Sequence, residues 1–294
     1  MCLHDVLQQT TARLRHVGVE EAELEARLLM EHALGLNHSG LILAARRTLL
    51  PDELSRVSLL LEKRLQRVPL SYLTGTREFW SLDFLVDPAV LIPRPETEFL
   101  LECVLAEQQL LPETGQVLDL CCGSGVIAVV LARELVGKRR IVGVDLSFAA
   151  LRLARCNAER HGAAPRIDWL CADLCGALSP STRYALVVTN PPYIASNTLI
   201  TLAPEVRDHE PLLALDGGED GLAVIRRLLR QVGPALLPGA LLFCEIGAEQ
   251  GEAVLALAGS LFPDANFFDQ LDVLQDWAGR PRVLRARRCL EGIN

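Results

Sequence analysis

The sequence has no C-x-x-C pair, no excess of basic over acidic residues, no apolar run long enough to cross a bilayer and no internal repeat or low-complexity tract. Its nine cysteines are an odd number: Cys121 and Cys122 are adjacent, while Cys171 and Cys175 are separated by three residues. Neither pair has a matching Cys or His pair at zinc-finger spacing, so the pattern is that of reduced thiols in a cytosolic protein and no metal is expected. With 29 Lys+Arg against 37 Asp+Glu the formal net charge is -8, which argues against broad, sequence-independent binding to a phosphate backbone. The opening Met1-Cys2-Leu3-His4-Asp5 lacks the basic-then-apolar pattern of a secretory signal, so a cytoplasmic protein without a membrane span is expected.

What is present points to a folded protein with a substantial core: 50% of residues are hydrophobic and 22% charged over 294 positions. That length suits one large domain and a smaller one. Residues 1–75 balance 9 basic against 9 acidic side chains, so the acidic excess, 28 against 20, lies in the remainder. An acidic larger domain suits a protein or small-molecule substrate and still leaves room for a local basic groove.

Residues 1–68 carry helical periodicity and no strand signal. Leu3, Val6, Leu7, Leu14 and Val17 share a face before Gly18, and Leu24, Leu28, Met30 and Leu34 precede Gly35. A further helix opens at Pro51-Asp52-Glu53 and is expected to bury Leu54, Val57, Leu61, Leu65 and Val68. Between residues 69 and 95 the pattern changes. Tyr72, Phe79, Trp80, Phe84, Val86 and Val90 fall among the turn formers Gly75 and Asp87-Pro88, the mark of a β-hairpin. The expected division is a helical docking domain over 1–75, a bridging hairpin over 76–95 and a catalytic domain over 96–294. Periodicity alone leaves open whether the helical part docks a partner or only stabilises the chain.

From Gln116 strands and helices alternate. Val117–Leu120, Ile141–Val144, Ile167–Leu170, Tyr184–Thr189 and Leu241–Ile246 read as buried strands, with weaker ones near Phe267 and Val283-Leu284. Helices are expected over Val126–Leu135, 148–160 and 219–232, the last followed by a Pro238-Gly239 turn. This alternation specifies an α/β fold, a doubly wound, mainly parallel seven-stranded sheet of Rossmann-like type. In such sheets ligands sit at the carboxyl edge of the strands.

Three of those edges carry chemistry. Cys121-Cys122-Gly123-Ser124-Gly125 follows the first strand, where glycines admit close approach and a helix N-terminus favours anions. Asp145 at the second tip can accept hydrogen bonds from two ribose hydroxyls, and Asp173 at the third can take an adenine amino hydrogen. An adenosine-containing cofactor follows. At the fourth tip stands Asn190-Pro191-Pro192-Tyr193, where two prolines must end the strand. An amide, a proline-fixed carbonyl and a ring suit a planar nitrogen substrate, although a strand closed by a Pro-Pro turn would read the same. NAD is one candidate, but the loop Gly123-Ser124-Gly125-Val126-Ile127-Ala128 has Ala in the third glycine's place, and NAD gives the tetrad no role. S-adenosylmethionine accounts for both.

The Asp119-Leu120-x-x-Gly123-Ser124-Gly125 loop, Asp145 and the tetrad resemble amino-methyltransferases that use S-adenosylmethionine. Ile92-Pro93-Arg94-Pro95-Glu96-Thr97-Glu98, Glu205-Val206-Arg207-Asp208-His209-Glu210-Pro211 and Asp216-Gly217-Gly218-Glu219-Asp220-Gly221-Leu222 narrow this. With the helical front end, the chain is similar over about residues 3–288 to the peptide-chain release factor glutamine N5-methyltransferases (the HemK/PrmC type). The resemblance implies methyl transfer from S-adenosylmethionine to the glutamine of the Gly-Gly-Gln motif in class 1 release factors, by a monomer without direct nucleic-acid contact. It implies that Cys121, Cys122, Gly123, Ser124, Gly125, Asp145 and Leu174 line the donor, beside Asp173 from the strand-tip reading. Asn190, Pro191, Pro192 and Tyr193 hold the glutamine, Asn190 touching both ligands, with Asn190, Pro191 and Tyr193 as the catalytic set. Cys121-Cys122 stands where the family commonly has Gly-Thr, and Leu174 where an aromatic is often found.

The alternative is an adenine-N6 or cytosine-N4 methyltransferase acting on a flipped base of DNA or RNA, which would use the same tetrad. Arg280, Arg282, Arg285, Arg287 and Arg288 form a basic stretch that would suit it; a solvated edge strand is the other reading.

Overall fold

The structure, a computed structural model, describes residues 1–137, 139–264 and 267–290. Two compact units emerge: Met1–Thr76 together with Ala203–His209, and the rest of the described chain.

The first unit is helical. It contains α1 (Leu3–His16), α2 (Ala22–Leu34), α3 (His38–Leu43), α4 (Pro51–Leu65) and α5 (Leu70–Thr74), joined by the later short helix Pro204–His209. Gly35 closes α2 in the left-handed conformation, and Pro51 opens α4, where the Glu53 carboxylate accepts the Leu50 N–H at 2.9 Å. Apolar side chains at helical spacing meet in two clusters, one holding Leu3, Met30 and Val57, the other Leu14, Leu29 and Leu61. Two expectations change here. α4 ends at Leu65, so Val68 lies beyond it, and its buried face carries a charge instead: Arg64. Tyr72 falls in α5, not in a hairpin strand.

The Arg64 side chain is 4% exposed and pairs with Glu25 at 2.5 Å and Glu205 at 3.0 Å. Arg67 donates to the other Glu205 oxygen at 3.0 Å. Residues 141 positions apart in sequence therefore share one ion cluster inside this unit.

The second unit begins with a hairpin, β1 (Thr76–Phe79) and β2 (Leu82–Leu85), followed by α6 (Pro95–Ala106). Its turn is Trp80-Ser81, both at positive φ (54° and 55°), rather than Gly75 or Asp87-Pro88. Seven strands then form one sheet: β3 (Gln116–Leu120), β4 (Ile141–Asp145), β5 (Ile167–Cys171), β6 (Tyr184–Thr189), β7 (Leu236–Glu245), β8 (Phe268–Gln275) and β9 (Pro281–Arg288). The order is β5-β4-β3-β6-β7-β9-β8; the first five are parallel, and β9 runs antiparallel to both neighbours. The chain winds outward from β3 through β5 and returns to pair β6 with β3, which places a switch point between those two strands.

Alternate side chains divide between the faces. Val117, Leu186, Val188 and Phe243 join the cluster holding α7 (Val126–Glu134), while Leu118, Leu120, Val187 and Leu242 join the one beneath helices Ala223–Val232 and Gly251–Leu261. In α7 every residue from Val126 to Ala132 is buried, as an all-round apolar helix should be. α8 (Phe148–Arg160) covers β4 and β5. Pro238-Gly239 is not a turn before the fifth strand but lies inside it. The register jumps from Tyr184↔Leu236 to Leu186↔Leu241 and Gly239 takes φ 75°, so β7 arches away and re-engages. The helix expected from 219 starts at Ala223.

Candidate active site

Beyond the carboxyl ends of β3, β4, β5 and β6 lies a cavity of about 620 Å³, inside the usual range for small-molecule sites. Of the expected residues it brings together Cys121, Cys122, Gly123, Ser124, Asp145, Asp173, Leu174, Asn190 and Pro192. Gly125, Pro191 and Tyr193 are not among its lining residues.

The turn after β3 runs through positive φ at Cys121 (57°), Gly123 (52°) and Gly125 (79°). Glycine adopts this freely, whereas Cys121, having a Cβ, carries roughly 1–2 kcal/mol of strain. At Gly125 the need is also steric: a Cβ there would lie 2.9 Å from both Ala154 and the Trp169 ring. The turn is tied to the next strand tip. Asp145 Oδ2 accepts the Gly123 N–H at 2.9 Å and Oδ1 the Ser147 N–H at 2.8 Å. Each carboxylate oxygen keeps a further lone pair for a ligand. Burial pushes the Asp145 carboxyl up and these backbone bonds pull it back, with a net rise.

Asp119, fully buried beneath the turn, accepts the Ala128 N–H at 3.0 Å through Oδ2, while Oδ1 has no partner among the described residues. Asp173 reaches the cavity but is half exposed and paired at 2.5 Å with Arg227, a second wall residue. Leu174 is buried at φ 51°.

Asn190 directly follows β6 and joins a hydrogen-bond chain that runs into the interior. Its Nδ2 donates to Thr97 Oγ1 at 3.0 Å, and Thr97 Oγ1 donates to Glu245 Oε2 at 2.7 Å. Tyr193 Oη donates to the other oxygen, Glu245 Oε1, at 3.2 Å. Glu245 is 0% exposed, and burial pushes its carboxyl up to about 7 against the Thr97 bond, Arg282 and the Tyr193 bond. Burial and then the neighbouring Glu245 push the Tyr193 phenol up as well. Among the described residues no protein group bonds the Asn190 side-chain oxygen, so an acceptor remains at the cavity wall.

The tetrad's backbone is held from behind. Gln250 Nε2 donates to the Tyr193 carbonyl at 2.8 Å and its Oε1 accepts the Gly247 N–H at 2.8 Å. A parallel bridge joins Ile194 to Asp216, so the 216–221 loop packs directly on the residues after Tyr193. Glu210 links two other wall segments: it accepts the Ile92 N–H at 3.2 Å and an Arg94 guanidinium N–H at 2.5 Å. No catalytic, cofactor-binding or substrate-binding role was expected of Thr97, Glu245, Gln250 or Glu210, although the 92–98 segment that carries Thr97 reads as a candidate pocket wall. One signal was available: an acid inside the apolar run Leu241-Leu242-Phe243-Cys244-Glu245-Ile246 must have a partner.

The donor set fits an adenosine-containing cofactor bearing a cationic centre. It offers the half-buried Asp145 carboxylate with spare lone pairs, a glycine turn that admits close approach, and apolar walls from Val126, Ile127, Leu146, Ala150 and Leu174. Four of the five C-terminal arginines are engaged by neighbouring groups. Arg282 pairs with Asp276, Arg285 with Asp272 and Glu107, and Arg287 with Asp269, while Arg288 lies over the Phe267 ring. They sit on β9, an interior strand, and not on the sheet edge as expected.

Among solved structures, the hMettl16 catalytic domain in complex with MAT2A 3′UTR hairpin 1 shares the fold, at a TM-score of 0.56 with 15% identity over 87% of this chain and 85% of that one. The family model described as PrmC N-terminal domain matches residues 5–75, and the Methyltransferase small domain matches residues 95–206. The release factor glutamine methyltransferase of Geobacter sulfurreducens is 42% identical over 285 residues, 97% of this chain and 96% of that protein. The Moorella thermoacetica protein of the same description is 42% identical over 289 residues, covering 98% of this chain and 99% of its own length. On cavity, turn, tetrad and near-full-length identity together, the chain belongs to the release factor glutamine methyltransferase family.

Proposed function

We propose that this enzyme transfers a methyl group from S-adenosylmethionine to the side-chain amide nitrogen of the glutamine in the Gly-Gly-Gln motif of class 1 peptide-chain release factors, acting as a monomer in the cytoplasm. One observation carries the reading. Asn190, whose amide oxygen has no partner among the described residues, lines the cavity that also holds the glycine turn and Asp145. Nine unpaired cysteines suit a reducing compartment.

When bound, S-adenosylmethionine supplies an electrophilic methyl on a sulfonium. Asp145 would hold the ribose hydroxyls, the 121–125 turn would line the donor, and Leu146 and Leu174 would offer apolar surface to the base. An amide nitrogen is a poor nucleophile because its lone pair is delocalised into the carbonyl. Asn190 Oδ1 and the Pro191 carbonyl accept the two N–H bonds of the substrate amide, which orients the nitrogen and favours its pyramidal form. Tyr193 flanks the amide plane. Alignment and preorganised acceptors, rather than a strong base, supply the acceleration.

The test is mass spectrometry of a class 1 release factor incubated with the enzyme and S-adenosylmethionine. One methyl on the Gly-Gly-Gln glutamine is expected. An unmodified glutamine, or methyl found on nucleic acid instead, would overturn the reading.

A further inference from the structure

We infer that Glu245 is a positioning residue that fixes, through the Thr97 hydroxyl, which end of the Asn190 amide faces the acceptor nitrogen; this rests on the glutamine-methylating reading above. Hydrogen-bond polarity sets the order of the chain. An ionised carboxylate only accepts, so the single Thr97 proton points to Glu245 Oε2 at 2.7 Å. Thr97 Oγ1 can then only accept from Asn190, 3.0 Å away, and the group it meets must be the NH₂. The Asn190 oxygen is thereby turned to the cavity, where an acceptor is required. The Tyr193 hydroxyl, 3.2 Å from Glu245 Oε1, reads the same charge.

Protonation undoes this order. A neutral Glu245 can donate to Thr97 Oγ1, and Thr97 can then donate to the Asn190 oxygen. The amide turns over and presents N–H bonds to a substrate that also brings N–H bonds. Glu245 is faced by Glu96 and Thr97 from α6, Tyr193 beyond β6 and Arg282 on β9, with Cys244 beside it on β7. Burial is the strongest of these influences and holds the carboxyl at about 7, with Arg282 opposing it and Glu96 adding to it. Methyl transfer should therefore weaken as pH falls through about 7.

The experiment uses a synthetic Gly-Gly-Gln peptide, a whole release factor and the full-length enzyme. Thr97→Val keeps the shape and removes the hydroxyl; Thr97→Ser keeps the hydroxyl. Expected for Thr97→Val are an at least ~10-fold fall in kcat, the scale of one misdirected buried hydrogen bond, weaker peptide binding by calorimetry, and an acid limb lost from the pH profile. Thr97→Ser should restore turnover to within about twofold. Glu245→Gln should lose the same acid limb. A Thr97→Val enzyme with parental turnover and an unchanged limb overturns the inference. An unmodified enzyme that methylates neither peptide nor factor overturns the functional reading itself, and the two failures are told apart by that control.

Discussion

A Cβ added to Gly221 would lie 2.5 Å from the carbonyl oxygen of Tyr193 and 2.7 Å from the Gln250 amide nitrogen that bonds that carbonyl. The 216–221 loop is thus a backing plate for the tetrad, and the glycine is required by close approach as well as by its φ of +71°. Gly221→Ala is expected to cost about 2–4 kcal/mol, from overpacking and a left-handed residue together. It should also lower turnover by displacing Tyr193. Urea unfolding and methylation rate measure the two effects, and parental stability would remove the backing role.

Asp145→Asn tests the ribose contact without emptying the turn. Asparagine can still accept the Gly123 or Ser147 N–H, but it loses the charge that strengthens two hydroxyl bonds. Charge-assisted bonds exceed neutral ones by roughly 1 kcal/mol each, so S-adenosylmethionine affinity should fall on the order of 10-fold or more by calorimetry. Unchanged affinity would remove Asp145 from the cofactor site.

The parts legible in the sequence are those set by local pattern. Apolar runs such as Tyr184–Thr189 became central strands, and the tips carrying Asp145, Asp173 and Asn190 came to one cavity because parallel strands share one carboxyl edge. What was hidden depends on long-range partners. Thr97 and Glu245 are 148 residues apart and no spacing announces their bond. Trp80-Ser81 forms a turn at positive φ that neither residue type signals. Pro238-Gly239 looks like a turn because proline opposes strand pairing, yet β7 tolerates it at a bulge.

Cys121→Gly bears on the departure at the donor loop. Cys121 holds φ 57° with a Cβ. Glycine relieves roughly 1–2 kcal/mol of backbone strain but returns part of it through greater unfolded-state entropy. A small net gain in stability, below about 1 kcal/mol, is expected, with cofactor affinity equal or higher. A marked loss of affinity would mean that the Cys121 side chain, not only its backbone, meets the donor.

Arg64→Met probes the helical unit. Arg64 satisfies Glu25 and Glu205 from a nearly sealed position; Arg67 also reaches Glu205, but among the described residues Glu25 has no second cation. Removing one side of a buried ion cluster typically costs about 3–5 kcal/mol, because the stranded carboxylates must be resolvated or protonated. Burial pushes the Glu205 carboxyl up, but its backbone bond and the Arg64 and Arg67 guanidiniums hold it below the ordinary value. A depressed folded pKa contributes stability above the unfolded value near 4.5 and loses it as pH falls through the folded one. The parent's helical unit should therefore weaken on acidification below about 4.5, a slope that Arg64→Met should flatten. S-adenosylmethionine binding, which belongs to the other unit, should not change. Circular dichroism of urea unfolding across pH, beside calorimetry, reads all three; equal stability of parent and variant at neutral pH would show that the ion cluster adds nothing to the unit it occupies.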